Sequence, residues 1–591
     1  MPSCTKNYNC KPPSLFERIT QKSNPELTDH NLKKCLNLFD LTVQGLAHII
    51  GVGIFIMTPG VIKMVAGPGL VVSYLLAAAV IVFTVVSYMD LGARYRGIGN
   101  AYVYVYASLG EFAAGLTGTF IMIEISLCLA FVAVGFGQNF DKYISDGYAH
   151  ELQVKYSGTF LPDYLAENVN LMAIALIIVC CVINCIGVKQ VAITNTITVG
   201  VSLLTLAMYC VISLIYGSTS TFTDSTDPDT GRGGLFPYGI SGVVTGAAIT
   251  VVSFAGFETL VSLSAEAKNS KRDVPLAVGL SFGISTVVYV CVTAAICYLV
   301  PWYTLTESTG IAASLEAHKL PIPKYIVIFT ILLASASVAL CTLTTLARGL
   351  MVISEDGLMF KFLSSVAECS KVPVAATVTA SSVIIFFTLV FSYKILIHLV
   401  SGGTLVTFVA VCFTLVVISY SKTKEVVDES TGLVPNVPVE SSEDAGYVEG
   451  QEWKIVGLMG VYTKLWSFGI LLVHLLKSWS FWHVRFPILV VTGIIGLLIL
   501  TYIKLNYHIQ PQRDPGFVCP GIPFVPAIGI TLNLALFSVL DVTAHLMTIA
   551  YFGFGTAMYF GYGYFHSTIT LRKQKELELT QNDENDEVVR S

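Results

Sequence analysis

The chain has 591 residues, of which 54% are hydrophobic and only 12% are charged. This composition excludes a soluble globular protein, because the surface of such a protein needs far more polar side chains. The formal net charge is −5, and the sequence has no basic face with interleaved aromatic residues that would indicate a nucleic-acid partner.

The apolar residues fall in long unbroken runs, which predict an all-α polytopic membrane protein with about 14 transmembrane helices. A helix needs about 20 apolar residues to cross a bilayer, whereas a barrel strand needs about ten that alternate. Spans 1 to 10 are predicted at residues 39–62, 70–89, 109–136, 171–186, 192–216, 240–264, 276–300, 325–353, 375–391 and 396–419. Spans 11 to 14 are predicted at residues 462–476, 486–503, 523–540 and 546–564.

These spans divide the chain into five parts. They are a cytosolic N-terminal segment at residues 1–38, a core at 39–419, a polar cytosolic linker at 420–461, spans 11 to 14 at 462–564, and a charged cytosolic tail at 565–591. Lys and Arg residues concentrate in the short loops after spans 2 and 6 and after span 14, which places both termini in the cytosol. No apolar stretch precedes span 1, so we expect no cleavable signal peptide.

Glycines interrupt two of the spans. Gly51 and Gly53 lie in span 1, and Gly256 lies in span 6. A glycine is roughly 1 kcal/mol less favourable than Ala in a helix interior, so both spans are predicted to unwind and present bare backbone groups. In a membrane such backbone is tolerated where it lines a cavity, and two interrupted spans in matching halves indicate a transporter's binding site. Helix packing is the alternative explanation for Gly51 and Gly53 taken alone.

Several ionisable residues fall in or beside the spans, where a charge costs roughly 3 kcal/mol or more. Glu124, deep in span 3, favours a functional role, whereas Glu258 is equally well explained as a helix-end residue bonded to backbone. Glu111 is expected to be a solvated cap, and Arg348 is expected to extend its side chain to the membrane interface. For His48, one turn before Gly51, a packed and hydrogen-bonded side chain competes with a proton carrier.

Motifs of other functional classes are missing from the sequence. It holds no phosphate-binding glycine loop, no HExxH, no nucleophile elbow and no CxxC pair, so we expect no enzyme, no cofactor and no metal site. Almost all of the 14 cysteines lie in spans or in segments placed in the cytosol, so no disulfide framework is expected. A channel is disfavoured because no filter sequence or acidic pore motif is present.

An ordered set of short motifs runs through the whole membrane part of the chain. In chain order the motifs are Gly51-Val52-Gly53-Ile54-Phe55, Ala66-Gly67-Pro68, Gly92-Ala93-Arg94, Gly110-Glu111, Gly187-Val188-Lys189, Gly256-Phe257-Glu258, Glu266-Ala267-Lys268-Asn269 with Val274-Pro275, Glu355-Asp356-Gly357-Leu358 and Tyr559-Phe560-Gly561-Tyr562-Gly563. Through these motifs the chain resembles the cationic amino acid transporters of the amino acid-polyamine-organocation superfamily.

The resemblance implies a LeuT-like fold of two inverted five-helix repeats (5+5) with four additional C-terminal helices, and a substrate held between spans 1 and 6. It implies that the backbone near Ile50, Gly51, Val52 and Gly53 binds the carboxylate of an amino acid. It also implies that Ser253, Phe254 and Ala255, beside the break at Gly256, receive the ammonium and flank the side chain. Glu124 and Glu258 would favour cationic substrates such as arginine, lysine or ornithine.

Among the positions that depart from the family pattern, two are candidates for coupling. Thr196 stands where many members have a lysine, and His48 replaces a small residue. We hypothesise that His48 takes over part of the missing charge. Related light-chain transporters form a disulfide with a glycoprotein through a cysteine between spans 3 and 4, but the loop at residues 137–170 has none, so no disulfide-linked heavy chain is expected.

The sequence therefore predicts a plasma-membrane carrier of cationic amino acids that works by alternating access, with facilitated exchange favoured over tight proton symport. One alternative is a broader or neutral amino acid carrier in the plasma membrane or an endolysosomal membrane. Another is an amino acid sensor that does not transport.

Overall fold

The computed structural model describes residues 18–22, 36–95, 101–144, 170–186, 191–223, 225–228, 231–264, 267–306, 309–367, 372–421, 451–476, 484–509, 516–568 and 571. Within these ranges the chain is helical, and its only strand-like pairings are isolated bridges between Leu36 and Ala267 and between Thr226 and Gly233. The predicted all-α class is confirmed.

Each predicted span coincides with helical structure, and we keep the names span 1 to span 14. Their α-helices are Leu38–Val52, Leu70–Arg94, Glu111–Tyr143, Leu171–Ile186, Val191–Tyr216, Gly239–Thr250 continued by Phe257–Ser262, Ser270–Leu299, Pro321–Glu355, Val374–Val390, Tyr393–Ser419, Gln451–Leu475, Phe486–Asn506, Phe524–Ser538 and Val542–Met558. Short helices at Ala101–Leu109 and Gly310–Ala317 precede spans 3 and 8.

Nine helices in the described ranges are long and apolar enough to cross a membrane, or ten if the bent pair of spans 13 and 14 is counted as one crossing. The first of the nine, Leu38–Arg94, has 57 residues. At a rise of 1.5 Å per residue it would be about 85 Å long, far beyond the roughly 30 Å of hydrocarbon, so it holds more than one crossing. Its backbone turns at Gly67, where φ is +59°. The number 14 stays a prediction, since spans 4 and 9 have only 16 and 17 helical residues.

A central group of spans packs together around the middle of the molecule. Span 7 lies against spans 1 and 2, while span 3 lies against spans 8 and 10. Span 13 joins this group through spans 2 and 10, but span 12 packs mainly on span 11. The site described below is therefore surrounded by spans of the core.

Span 11 begins earlier than its apolar pattern predicts. Its helix starts at Gln451, whereas the apolar pattern places residues 451–461 in the polar linker. The polar first turn is satisfied by tertiary contacts: Gln451 Nε2 donates to the carbonyl of Tyr420 at 2.7 Å, and Lys22 forms an ion pair with Glu452 at 2.8 Å. Hydropathy alone gives no signal for such a helix start. Residues 422–450 of the linker lie outside the described ranges.

Candidate functional site

Span 6 is discontinuous at its glycine. Its α-helix ends at Thr250, a 3₁₀ turn covers Val251–Phe254, and Ala255 is extended before a new helix starts at Phe257. Gly256 has a φ of +134°, which a residue with a Cβ adopts only under strain. The sequence-predicted break in this span is therefore present, and it needs a glycine.

Span 1 behaves differently from the prediction, because it does not unwind at Gly51 or Gly53. The α-helix runs through Val52 and continues as a π-helix at Gly53–Met57, with Gly53 at helical angles of φ −61° and ψ −48°. A Cβ on Gly53 would lie only 2.6 Å from the Cβ of Ser253, and one on Gly51 would meet the side chain of Val338. These two glycines therefore allow close helix packing, and the expectation of bare unwound backbone in span 1 is wrong.

A cavity of about 80 Å³ lies between spans 1, 3, 6, 8 and 10. This volume accommodates several water molecules, since one water centre needs roughly 10–15 Å³. Its main polar and ionisable wall groups are His48, Glu124, Glu258, Thr342, Thr345 and Thr404. A membrane-embedded cavity with such a wall suits a small polar ligand.

The two glutamates of the cavity differ in how their oxygens are satisfied. Glu124 Oε1 accepts a hydrogen bond from the Thr404 hydroxyl at 2.6 Å, and Oε2 accepts one from the Thr407 hydroxyl at 2.7 Å. Gly403 makes room for this carboxylate, because a Cβ there would lie 2.9 Å from the Cγ of Glu124. Glu258 accepts one long hydrogen bond, from the Tyr88 hydroxyl at 3.4 Å. Glu258 therefore keeps more lone pairs for a ligand.

Neither Glu124 nor Glu258 forms a salt bridge with a basic residue anywhere in the described ranges. A carboxylate in the hydrocarbon region costs roughly 3 kcal/mol or more, and two that face one cavity also repel each other. Either a proton or a ligand that brings positive charge would relieve this cost.

The two coupling candidates lie in different places. His48 lines the cavity, and its Nδ1 lies 3.2 Å from the Gln44 carbonyl while its buried Nε2 has no partner among the described residues. Thr196 is exposed on span 5, so the structure does not bring it to the cavity.

It is the buried neighbour Asn195, and not Thr196, that faces span 1. Its amide Nδ2 donates to Gln44 Oε1 at 2.7 Å, and its Oδ1 accepts a hydrogen bond from the Ser337 hydroxyl at 2.7 Å. Asn195 thereby joins spans 1, 5 and 8 beside the cavity. Sequence reasoning missed it because one residue along a helix changes the direction of the side chain by about 100°.

The other predicted site residues are divided between the cavity wall and the packing behind it. Gly53, Ala255 and Gly256 line the cavity together with Ile49, which the sequence analysis did not select. The side chain of Ile50 is buried away from the wall, and nothing is described of the Val52 side chain. Ser253 and Phe254 are buried behind the wall. The threonines of spans 8 and 10 were also missed, since isolated threonines in apolar spans carry little signal.

Two ionisable residues that the sequence analysis considered, Glu111 and Arg348, lie outside the cavity. Glu111 is not a solvated cap, because it is 1% exposed and accepts hydrogen bonds from Tyr559 at 3.2 Å and Ser567 at 2.6 Å. It thus ties the start of span 3 to the segment after span 14. Arg348 is exposed on span 8, and its interfacial position stays a prediction.

Two family models match the chain. The model of the "Amino acid permease" family matches residues 36–439, and a second model, "C-terminus of AA_permease", matches residues 517–567. The chain belongs to the amino acid permease family.

Curated relatives cover nearly the whole chain. "Cationic amino acid transporter 4" of Homo sapiens is 27% identical over 95% of this chain and 93% of that protein. "Cationic amino acid transporter 4, vacuolar" of Arabidopsis thaliana is 26% identical over 91% of this chain and 93% of that protein. These relatives and the permease match confirm the resemblance to the cationic amino acid transporters that the motifs indicated.

Among solved structures, a crystal structure of MhsT in complex with L-phenylalanine is similar over 66% of this chain and 91% of that one, with 14% identity and a TM-score of 0.49.

Proposed function

We propose that this amino acid permease carries cationic amino acids such as arginine, lysine and ornithine by alternating access. The observation that supports this substrate class is the cavity with Glu124 and Glu258 in its wall and no paired cation among the described residues. A guanidinium or ammonium group would supply the missing positive charge and remove the repulsion between the carboxylates.

The two ends of the substrate would meet different parts of the wall. At the break the Ala255 amide still donates to the Val252 carbonyl and the Gly256 carbonyl accepts from the Thr259 amide, so the groups proposed to meet the ligand are the Ala255 carbonyl and the Gly256 amide. This backbone lies in the same cavity wall as Ile49 and Gly53 of span 1. This backbone suits the ammonium and carboxylate that all amino acids share, while the glutamates suit a cationic side chain. Glu258 would contact the side chain directly, and Glu124, held by two threonines, would act mainly through its charge.

Facilitated exchange is the transport mode that we propose, because the lysine position of the family is Thr196 and lies on the exposed face of span 5. His48 is retained as a candidate for pH sensitivity because its Nε2 lies buried beside the cavity.

We also propose a plasma-membrane location with both termini in the cytosol, and operation without a disulfide-linked heavy chain. A relative named "vacuolar" makes an internal membrane the main alternative.

Uptake of radiolabelled arginine and leucine by cells that express the protein tests the substrate class. We expect saturable arginine uptake, competition by lysine and ornithine, and little leucine uptake. Equal uptake of leucine and arginine, unchanged in Glu258→Gln, would contradict the proposal and favour a broader carrier. Arginine binding without flux would instead indicate a sensor.

A further inference from the structure

Behind the cavity, one tyrosine hydroxyl contacts the backbone of both glycine-bearing spans. The hydroxyl of Tyr289, in span 7, lies 2.5 Å from the carbonyl oxygen of Ile49 in span 1 and 2.6 Å from that of Ser253 in span 6. Ser253 lies just before the break at Ala255 and Gly256, and Ile49 lies in the cavity wall.

The position of this hydroxyl is set by close packing on all sides. The Tyr289 ring is stacked on Tyr74, with centroids 4.8 Å apart and an interplanar angle of 4°, and it meets Phe254 edge to face at 5.2 Å. Tyr289 is fully buried. A Cβ on Gly53 would collide with the hydroxyl, so Gly53 leaves the space in which it reaches both spans.

A phenol has one hydrogen, whereas two carbonyl oxygens approach it here. Both carbonyls carry negative partial charge, so the hydroxyl hydrogen that they share stabilises their approach to the same point. Without that hydrogen, the two carbonyls would face the phenol position in a buried site with no donor there, which is costly. The hydroxyl therefore holds span 1 at a set distance from the broken backbone of span 6.

We propose that Tyr289 is a positioning residue for substrate binding: its hydroxyl fixes span 1 against the broken backbone of span 6, so that the backbone at that break is preorganised for the carboxylate and ammonium of an amino acid. The proposal rests on the proposed function only in that the ligand is an amino acid. Tyr289 does not line the cavity, so its effect on the ligand is indirect.

If Tyr289 preorganises the backbone, its loss should weaken substrate binding without slowing the transport cycle. Tyr289→Phe keeps the ring but removes the hydrogen, so the KM for arginine should rise about tenfold while the maximal rate per carrier stays within a factor of about two. The binding of agmatine, which is arginine without its carboxylate, should change far less, because agmatine lacks one of the two groups that the backbone positions. Gly53→Ala displaces the hydroxyl without removing it and should produce the same signature.

Tyr209→Phe is the matched control. Tyr209 is also fully buried, and its hydroxyl bonds to Ser314 at 2.8 Å between span 5 and the short helix before span 8. This control removes a comparable hydrogen bond away from the cavity, so it reports the general cost of losing a buried hydroxyl.

The experiment measures concentration-dependent arginine uptake per surface carrier, and agmatine inhibition, for the parent, Tyr289→Phe, Gly53→Ala and Tyr209→Phe. Thermal stabilisation of the purified carriers by arginine is measured in parallel, so that a variant of low abundance still yields an affinity. A KM rise in Tyr289→Phe and Gly53→Ala but not in Tyr209→Phe supports the proposal. An unchanged KM, an equal rise in Tyr209→Phe, or an equal loss of agmatine binding overturns it.

The two proposals fail in different ways. If the parent carries no arginine, the proposed substrate class fails, and the same variants are compared with an amino acid that the parent does carry. The role of Tyr289 fails if, with that substrate, its variant shows an unchanged KM or only the change that Tyr209→Phe also shows.

Discussion

Span 1 and span 6 both place glycines beside the cavity, yet only span 6 loses its helix there. In span 6 the glycine supplies a backbone angle, since Gly256 has a φ of +134° after an extended Ala255. In span 1 the glycines supply space, since Gly53 keeps helical angles and lies against Ser253. The comparison teaches that glycines with the same sequence signal can serve two physical purposes, backbone freedom and close approach.

The largest effect should come from adding a methyl group where span 6 is broken. Gly256→Ala combines a strained positive φ with a Cβ only 2.7 Å from the Cβ of His48. Strain of about 1–3 kcal/mol at the site should lower substrate uptake per surface carrier by about fivefold to more than a hundredfold. Gly200→Ala in span 5 is the control, because nothing lies within 4 Å of a Cβ there, and it should transport normally. Near-normal uptake by Gly256→Ala would mean that the break is not needed.

The next largest effects are expected from neutralising the two cavity glutamates, and they should differ: Glu258 follows the break in span 6, whereas Glu124 lies on the continuous span 3. Glu258→Gln should reduce arginine uptake about tenfold or more, because within the described part of the chain Glu258 accepts one long hydrogen bond and keeps lone pairs for a cation. Glu124→Gln should have a smaller effect, since its two oxygens are already bonded by Thr404 and Thr407. Competition curves with arginine and leucine measure both variants.

Glu316→Gln is the charge-matched control for these two variants. Glu316 is half-exposed and pairs with Lys324 at 3.2 Å, so its loss should leave the KM for arginine unchanged. An effect of Glu124→Gln larger than that of Glu258→Gln would reverse the assignment of the direct contact.

A moderate effect is expected from loosening the support of span 1. Asn195→Ala removes the hydrogen bond to Gln44 and the one accepted from Ser337, so spans 1, 5 and 8 lose a shared buried partner. Arginine KM should rise about three- to tenfold, as expected for loss of one or two buried hydrogen bonds. Thr196→Val, one residue along on the exposed face, should remain within a factor of about two of the parent. Equal effects of the two substitutions would contradict an orientation of span 5 in which Asn195 faces span 1 and Thr196 is exposed.

The smallest expected effect concerns His48, whose Nε2 lies buried beside the cavity. His48→Ser should flatten the pH profile of arginine uptake, because it removes the titratable imidazole of the cavity wall. Uptake measured across a range of pH in the parent and the variant provides the test. Identical profiles would exclude His48 as the pH-sensitive group.

The helices and the break in span 6 could be predicted because their signals are local. An apolar run of about 20 residues predicts a helix wherever it stands, and Gly256 interrupts such a run. The start of span 11 at Gln451 could not be predicted, since its polar first turn is stabilised by Tyr420 and Lys22, which are distant in the chain.

The sequence by itself determined the membrane class, the helical segments and, through its ordered motifs, the permease family. Only the tertiary structure decided which residues face the cavity: Ile49 rather than Ile50 lines the wall, and Asn195 rather than Thr196 meets span 1. The physical reason is that neighbouring residues on a helix point about 100° apart. Which of them turns toward a partner depends on packing against other spans, and Gly53 with Tyr289 shows how closely that packing is fitted.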